Sequence, residues 1–395
     1  MNTHELVDSA KENLLFYAHR PDVVMEKGSG MYLWDTEGKK YLDFVGGWAV
    51  TCLGHCPEAI STALENQSKE LVNASPSFYN IPMIQFAKLL TSISCFDRVF
   101  FSSTGAEANE GAIKLARKYG STHLNGAFEI ITTISGFHGR TLAMMSATGK
   151  KHWEPLFAPK VSGFKHVPFN DLKAVREAIS SNTCAVMLEP IQGEGGVNPA
   201  DIEYIKGLRK LCDEHGILLI FDEIQTGLGR TGAMFCYEQH GIEPDIMTLA
   251  KGIGGGFPLS AMLTKEKYNL FDPGDQGGTY CGQPLAMAVG IAVVNELIEK
   301  KLPHNAEVQG EYIKERLLSI KDKYKLENIR GKGLLIAFDL PHPKGPEIVD
   351  QCLKNGLLVN SPNPKIIRLM PALIVQKEDI DLMVEILSGV LDKVL

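Results

Sequence analysis

GILLIFDEIQTGLGRTG (residues 216–232) and MTLAKGIGGGFP (residues 247–258) are the two segments that decide the fold of this 395-residue chain. Residues 217–221 form a short apolar run between turn residues, which predicts a strand buried on both faces of a parallel sheet. Asp222 follows this run directly, and Lys251 follows a second apolar run. Since open α/β sheets bind ligands at the carboxyl ends of their strands, the acid and the amine are predicted to share one site.

Pyridoxal 5'-phosphate (PLP) is a cofactor that requires both an amine and an acid. Its aldehyde condenses with a lysine to a Schiff base, and a nearby carboxylate keeps its pyridine nitrogen protonated so that the ring withdraws electrons. On these two residues alone an ordinary alternative stays open, in which Asp222 caps a helix and Lys251 lies on the surface.

The composition is that of an ordinary globular protein, with 44% hydrophobic and 22% charged residues. The net charge is −7, from 40 basic and 47 acidic residues without a long basic run, which argues against nucleic acid as a partner. The N-terminal segment lacks an uninterrupted apolar core and no later run is long enough to span a bilayer, so we expect neither secretion nor a membrane partner. Eight cysteines without a CxxC pair predict free buried thiols in a reducing cytoplasm and no metal site.

The N-terminal region has two predicted elements and one candidate base. Residues 5–20 are predicted to be helical, and residues 31–44 are predicted to form a hairpin around a TEGK turn. His55 could act as a base, but nothing pairs with it in sequence, so a structural histidine is the better interpretation.

A candidate anion site follows the predicted strand at residues 98–102. The segment SSTGAEANEGAIKLAR begins a predicted helix with Gly105 and Ala106 near its first turn. Exposed N–H groups and the helix dipole favour negative charge there, and a cofactor phosphate carries about −1.5 to −2 charges. An ordinary capped helix is the alternative, and the downstream Lys251 favours the phosphate.

Two further strand ends carry chemically suggestive side chains. SGFHGRTLAMM follows a predicted strand at residues 128–133, where Phe137 could stack on a flat ring and Arg140 could hold a carboxylate. Taken singly, the first is an ordinary core residue and the second an ordinary surface residue. EPIQGEGG, with Glu189 and Glu194, is predicted to be a loop at the same edge of the sheet.

The order of these elements predicts an α/β fold. Helices and strands alternate from about residue 98 to 262, as in a doubly wound, mostly parallel sheet. The C-terminal part has short strands, one of which carries Arg368, and an amphipathic helix, which indicates a smaller α+β domain. We therefore predict a small domain built from residues 1–55 and 291–395 and a large cofactor-binding domain at residues 56–290.

Five segments in this order, STGAEANEGAIKLAR, GFHGRT, EPIQGEGG, DEIQTGLGRTG and LAKGIGGGFP, resemble the class III aminotransferases of PLP fold type I. The resemblance is closest to the acetylornithine and ornithine aminotransferase branch, and it extends from MYLWDTEGKKYLDF to RLMPALIV. It implies PLP as the cofactor and a homodimer with shared active sites, and the cysteine pattern places this homodimer in the cytoplasm.

The resemblance also implies roles for individual residues of the cofactor site. Lys251 would bind PLP and shuttle the substrate proton, and Asp222 would be the partner of the pyridine nitrogen. The remaining expected contacts are Phe137 and Ile224 on the two faces of the ring, Gln225 at the phenolic oxygen, Gly105 and Ala106 at the phosphate, and Thr279 at the phosphate bound in the partner subunit.

For the substrates, the resemblance implies two arginines and one switch. Arg140 would hold the carboxylate remote from the reacting amine, and Arg368 the α-carboxylate of glutamate, with Glu194 covering Arg368 while the other substrate is bound.

Two departures from the family pattern concern the donor pocket. The loop reads GGTYCGQP instead of GTTFGGNP, so Gly278 lacks a hydroxyl. Trp48 replaces a small aliphatic residue or a tyrosine, and its indole would either reshape the donor pocket or pack against the hairpin.

The leading interpretation is a transaminase that moves the δ-amino group of N-acetylornithine, or of a close ω-amino donor, to 2-oxoglutarate. The products would be glutamate and a semialdehyde, within arginine biosynthesis. Ornithine, succinylornithine and γ-aminobutyrate remain open as donors, and so does an aminomutase reaction. An alternative of a different class is a catalytically silent PLP-fold regulator, against which the intact Lys251 and Asp222 argue.

Overall fold

A computed structural model describes residues 2–16 and 18–395 of the chain. Its strands are β1 (Met25–Ser29), β2 (Tyr32–Asp35), β3 (Lys40–Asp43), β4 (Arg98–Ser102), β5 (Glu129–Thr133), β6 (Phe164–Val167), β7 (Thr183–Leu188), β8 (Ile191–Gln192), β9 (Asn198–Pro199), β10 (Leu218–Asp222), β11 (Ile246–Leu249), β12 (Ser260–Thr264), β13 (Glu327–Lys332), β14 (Leu335–Asp339), β15 (Leu357–Leu358), β16 (Asn360–Asn363) and β17 (Ile366–Leu369). Its α-helices are α1 (Thr3–Asn13), α2 (Gly46–Ala49), α3 (Glu58–Glu70), α4 (Ile81–Ser92), α5 (Gly105–His123), α6 (Leu142–Ala147), α7 (Leu172–Ala178), α8 (Ile202–His215), α9 (Pro284–Glu299), α10 (Leu302–Tyr324), α11 (Gly345–Lys354) and α12 (Lys377–Val394).

The central element is a seven-stranded sheet in the order β4-β12-β11-β10-β7-β5-β6. Neighbouring strands from β11 to β6 are parallel, whereas β12 is antiparallel to both β11 and β4. The predicted doubly wound, mostly parallel sheet is confirmed. The antiparallel strand follows from its connection, since residues 250–259 are too few for the crossover helix that a parallel neighbour requires.

Strand β10 lies in the middle of this sheet, and all five of its residues are buried. A strand was predicted at residues 217–221, and β10 begins and ends one residue later. Asp222 is therefore the last residue of the strand instead of the first residue after it. Asp222 pairs with Thr248 of β11, and the Glu223 N–H still donates to the Thr248 carbonyl at 3.0 Å. The ladder therefore continues to the sheet edge and carries the carboxylate with it.

The two ends of the chain meet in smaller sheets. β15 pairs in parallel with β3 in the sheet β1-β2-β3-β15, which includes the predicted hairpin. β13, β14, β17 and β16 form a separate antiparallel sheet, and Arg368 lies on β17. This pairing supports a small domain made from both chain ends, and its boundaries stay a prediction.

The helix predicted over residues 5–20 is not observed at residues 14–16 and 18–20, so the prediction is wrong there. α1 ends at Asn13, and Leu14 has extended dihedral angles (φ −104°, ψ 137°). Leu14, Leu15 and Phe16 are exposed, so that continuing the helix would order more backbone without burying apolar surface. Tyr17, within the predicted helix, lies outside the described residues. None of the described helices has the length and apolar character needed to cross a membrane.

Glu223, which follows β10, is a buried carboxyl group that ties a loop to the sheet. Its two oxygens accept the N–H groups of Cys236 (2.6 Å) and Tyr237 (2.7 Å). Burial raises the pKa of Glu223 to about 8, although these two hydrogen bonds oppose the shift. The native state therefore favours the protonated carboxyl group over a range in which an exposed glutamate is ionised.

We expect Glu223→Gln to remove part of the pH dependence of stability. Because folding raises the pKa of Glu223 from 4.5 to about 8, the native state takes up a proton between these values, and stability falls as pH rises through this range. Relative to the variant, the wild type should lose a few kcal/mol of unfolding free energy between about pH 5 and about pH 8. Urea unfolding of the apoprotein measures this difference.

The matched control is Glu203→Gln, since the Glu203 side chain is 89% exposed on α8. This variant should reproduce the wild-type pH dependence. Parallel stability curves for the wild type and Glu223→Gln would show that the Glu223 carboxyl group titrates alike in both states.

Candidate active site

A cavity of about 300 Å³ lies at the carboxyl edge of the central sheet. Its walls come from the segments that follow β4, β5, β7, β10 and β11. This is the edge at which open α/β sheets bind ligands. The residues of the predicted site that line the cavity are Gly105, Ala106, Phe137, Glu194, Asp222, Ile224, Gln225 and Lys251.

The Asp222 carboxylate is buried at the base of this cavity and is held by three groups. Its Oδ2 accepts a hydrogen bond from Asn109 Nδ2 and lies 2.8 Å from His138 Nδ1, while its Oδ1 accepts the Ile224 N–H at 3.1 Å. Burial lowers the pKa of His138, but the hydrogen bond and charge of Asp222 outweigh burial and raise it overall. His138 can therefore donate to the carboxylate and balance part of its charge.

Lys251 reaches the same cavity from the end of β11. Its backbone has a φ of 48°, a left-handed conformation that costs a non-glycine residue about 1 kcal/mol. Burial lowers the pKa of the Lys251 amine, and Arg368 adds to this effect, while Glu194 opposes it. A larger share of neutral amine is consequently present near neutral pH than in an exposed lysine, as a nucleophile requires.

The first turn of α5 provides a cradle for an anion. Glu107 caps this helix by accepting the N–H groups of Ser103 (3.0 Å) and Thr104 (2.8 Å). Within residues 2–16 and 18–395, the N–H groups of Gly105 and Ala106 have no acceptor. A Cβ atom at Gly105 would lie 2.7 Å from Ile224 Cδ1, so glycine permits the close approach of the two loops.

Arg368 is fully buried and faces Glu194 across 174 positions of sequence. Its Nη1 donates to Glu194 Oε1 (2.7 Å) and to the Gly193 carbonyl (2.8 Å), and its Nε donates to Asn360. Burial raises the pKa of Glu194, but the charges of Arg368 and Lys251 and the hydrogen bond from Arg368 together outweigh burial and lower it. Nη2 has no acceptor in the part of the chain that the structure describes. The guanidinium therefore keeps one donor available for a further oxygen atom.

Gln225 connects the cavity wall to Trp48. Its Nε2 donates to the Trp48 carbonyl at 3.3 Å, and its Oε1 has no partner among the described residues. A Cβ atom at Gly193 would lie 1.6 Å from this oxygen, so only glycine leaves room for Gln225. The Trp48 side chain is 57% exposed, and it therefore does not pack into the core of the hairpin within this chain.

Five residues of the predicted site do not line the cavity, namely Arg368 and Trp48, which are described above, and Arg140, Gly278 and Thr279. Arg140 is exposed, and its guanidinium carbon lies 5.2 Å from the ring centre of Trp153 and 5.9 Å from that of Phe137. Gly278 and Thr279 are exposed on the loop before α9. His55 also lies outside the cavity, and its Nε2 is 2.9 Å from Asp43, which agrees with a structural histidine.

Three polar residues of the site received no role from the sequence. Glu189 lines the cavity and accepts the N–H groups of Phe137 (2.9 Å) and Gly193 (3.2 Å). Burial, with the charge of Asp222, raises the pKa of Glu189 to about 7. The position of Glu189 directly after β7 is a usable signal. His138 was visible only within the GFHGR motif, and Asn109, inside α5, carries no signal that distinguishes it from a surface amide.

The residues of the cavity fit PLP. An amine and a buried acid face the same space, and two N–H groups that have no acceptor among the described residues are available for a phosphate. Asn109 and His138 already hold the Asp222 carboxylate, so its negative charge has a fixed position in the cavity.

The family model described as aminotransferase class III matches residues 16–391. The chain is 53% identical to acetylornithine aminotransferase 2 of Bordetella pertussis over 375 residues, which cover 94% of this chain and 95% of that protein. It is 43% identical to the acetylornithine aminotransferase of Methanocaldococcus jannaschii, with 100% of both chains covered.

Solved structures of aminotransferases are also similar to this chain over its whole length. An ornithine aminotransferase from Toxoplasma gondii, described with PLP at its active site, has a TM-score of 0.95 and 30% identity, with 100% of this chain and 95% of that chain covered. The acetylornithine aminotransferase from Elizabethkingia anophelis has a TM-score of 0.89 and 31% identity, with 100% of both chains covered. Because the family match spans most of the sequence and the cavity offers what PLP requires, the chain belongs to the class III aminotransferases and is a PLP-dependent enzyme.

Proposed function

We propose that this aminotransferase moves the δ-amino group of N-acetylornithine to 2-oxoglutarate, giving glutamate and a semialdehyde. Acetylornithine aminotransferases that are 43% to 53% identical over nearly their whole length support this donor. The observation that carries the glutamate half is the buried Arg368, which has one free donor and a removable carboxylate partner.

Lys251 and Asp222 carry the chemistry in this proposal. When bound, PLP withdraws electrons from the substrate carbon that bears the amino group, so that a proton can leave and return. Lys251 Nζ accepts and returns this proton, because its lowered pKa leaves neutral amine available. Asp222, held by Asn109 and His138, supplies the fixed negative charge beside the ring nitrogen. The other residues that would hold the cofactor are Phe137 and Ile224 at the ring, Gln225 at the phenolic oxygen, and Gly105 and Ala106 at the phosphate.

Glu194 acts as the switch between the two substrates. N-acetylornithine presents an ω-amine without a carboxylate beside it, so Glu194 stays paired with Arg368. 2-Oxoglutarate brings an α-carboxylate, which takes the place of Glu194 on Arg368. Since the Glu194 side chain is 24% exposed, it can leave without opening the core. Arg140 holds the carboxylate at the other end of each substrate.

Other ω-amino donors fit the same scheme. Ornithine, succinylornithine and γ-aminobutyrate differ mainly at the end remote from the reacting amine, and Trp48 is the residue that we expect to discriminate among them. A catalytically silent regulator is not proposed, since the chain belongs to a family of aminotransferases.

We also propose a cytoplasmic homodimer with shared active sites. Gly278 and Thr279 do not line the cavity of their own chain, and the Asn80 side chain ties the neighbouring Gly282 to the start of α4 at 2.9 Å. The apolar side chains around this contact are exposed, namely Phe78, Tyr79, Ile81, Ile84 and Tyr280. Such a patch fits a second copy of the chain, which would bring Thr279 to the phosphate of the partner. The eight free cysteines suit the cytoplasm.

We expect Asp222→Asn to bind PLP but to slow single-turnover transamination at least roughly 100-fold, because the fixed charge beside the ring nitrogen is lost. The amide also replaces an acceptor of the Ile224 N–H or of Asn109, which costs about 1 kcal/mol of stability. Stopped-flow absorbance measures the rate, and thermal unfolding serves as the control for folding. A near-normal rate would remove Asp222 from its proposed role.

Substitution of the two arginines should separate the half-reactions. Arg368→Ala should impair the reaction with glutamate or 2-oxoglutarate about 100-fold and the donor reaction much less, whereas Arg140→Ala should impair both. Stopped-flow half-reactions with N-acetylornithine and with glutamate measure the difference. Arg98→Ala is the matched control, since Arg98 pairs with Glu266 at the opposite end of β4. Equal effects of Arg368→Ala on both halves would contradict the switch.

Mixed dimers test the shared site. Lys251→Ala and Thr279→Ala subunits are each expected to form impaired homodimers. A mixed dimer would contain one site with both changes and one with neither. Unfolding and refolding equal amounts together should therefore restore roughly a quarter of wild-type activity. If Thr279 serves its own subunit, no activity should return, although size analysis shows dimers.

A further inference from the structure

Two positive charges share one pair of aromatic rings beside the cavity. Phe137 and Trp153 form an edge-to-face pair with ring centres 5.9 Å apart. The Lys150 Nζ atom lies 5.1 Å from the ring centre of Phe137 and 5.4 Å from that of Trp153. The Arg140 guanidinium lies on the same two rings. Cations in this position gain from the ring electrons but repel each other.

The backbone holds Lys150 at the carboxyl end of β5, where Phe137 also lies. Gly149 forms a parallel bridge with Ile134, and its carbonyl accepts the Ser135 N–H at 2.9 Å. A Cβ atom at Gly149 would lie 2.4 Å from the Thr133 carbonyl oxygen, so glycine is required for this close approach. The Trp153 N–H donates to the Lys150 carbonyl at 2.9 Å. Lys150 and Trp153 are therefore fixed relative to each other and to the sheet edge.

Among the described residues, neither Lys150 nor Arg140 has an acid as an ion-pair partner. The nearby acids are engaged elsewhere, since Glu194 binds Arg368 and Glu189 accepts two backbone N–H groups. Burial lowers the pKa of the Lys150 amine. The positive charges of Arg140 and Arg368 lower this pKa further, whereas the negative charges of Glu194 and Glu189 raise it. All four charged side chains therefore lie close enough to the Lys150 amine to shift its pKa.

We propose that Lys150 and Arg140 together bind the carboxylate that both substrates carry at the end remote from the reacting centre. In this arrangement Arg140 supplies a planar pair of donors and Lys150 a single compact charge, so one carboxylate neutralises both. A donor without this carboxylate leaves two adjacent cations unpaired and is rejected. Lys150 is thus a specificity-determining residue, an inference that rests on the proposed function of this site.

Lys150→Met tests this inference because it keeps the aliphatic length and removes only the charge. The kcat/KM for N-acetylornithine should fall about tenfold, whereas that for N-acetylputrescine, which lacks the α-carboxylate, should stay the same or rise. Lys150→Arg should keep most of the activity with N-acetylornithine. Lys151→Met is the matched control, since Lys151 is the exposed neighbour, and it should leave both donors unchanged.

A binding measurement gives a second and independent readout. Glutarate has both carboxylates of 2-oxoglutarate without its reactive carbonyl group, and calorimetry with the PLP-loaded enzyme should show about tenfold weaker binding to Lys150→Met. Equal losses for the two donors, an equal effect of Lys151→Met, or unchanged glutarate binding would each overturn the role of Lys150. If the wild type does not use N-acetylornithine, the proposed donor fails, and the glutarate result still decides the role of Lys150.

Discussion

The buried carboxylate of Asp222 is the constraint on which the rest of this site depends. A charge at the end of a central strand is costly unless it is paired and hydrogen-bonded, and Asn109 and His138 satisfy it from two other elements. Asn109 in turn accepts the hydroxyl of Thr248 at 2.7 Å, which joins α5 to β11. Helix, loop and two strands are thereby held at the same edge of the sheet, which positions the N-terminus of α5 and Lys251 around one cavity.

Around this fixed charge, the site keeps its cations and acids incompletely matched. In the described part of the chain, Arg368 is paired but has one donor without an acceptor, Arg140 and Lys150 have no acid as a partner, and Glu189 is buried with a raised pKa. Each of these arrangements costs stability in the free protein. A dicarboxylate substrate supplies the missing negative charges. Its binding therefore relieves these unfavourable arrangements, which strengthens binding and favours substrates that carry the carboxylates. The large apolar core around the sheet tolerates this local loss.

Several features could be predicted from sequence because local physics decides them. The strand that leads to Asp222 and the helix beginning near Gly105 could be predicted from apolar runs, turn residues and caps, which act over a few positions. The helix predicted to residue 20 failed for the opposite reason. Leu14 and Leu15 are exposed, and the fold provides no surface for these apolar side chains to cover. Local pattern alone cannot tell whether a partner surface exists.

The sequence by itself determined the class of the fold, the amine and the acid at the strand ends, and, through resemblance, the family. Only the tertiary structure decided that β12 is antiparallel, that His138 and Asn109 hold Asp222, and that Lys150 shares the rings of Phe137 and Trp153 with Arg140. The physical reason is distance along the chain. Capping and strand burial depend on neighbouring residues, whereas these contacts depend on how separate elements pack, and no local pattern of residue types encodes that packing.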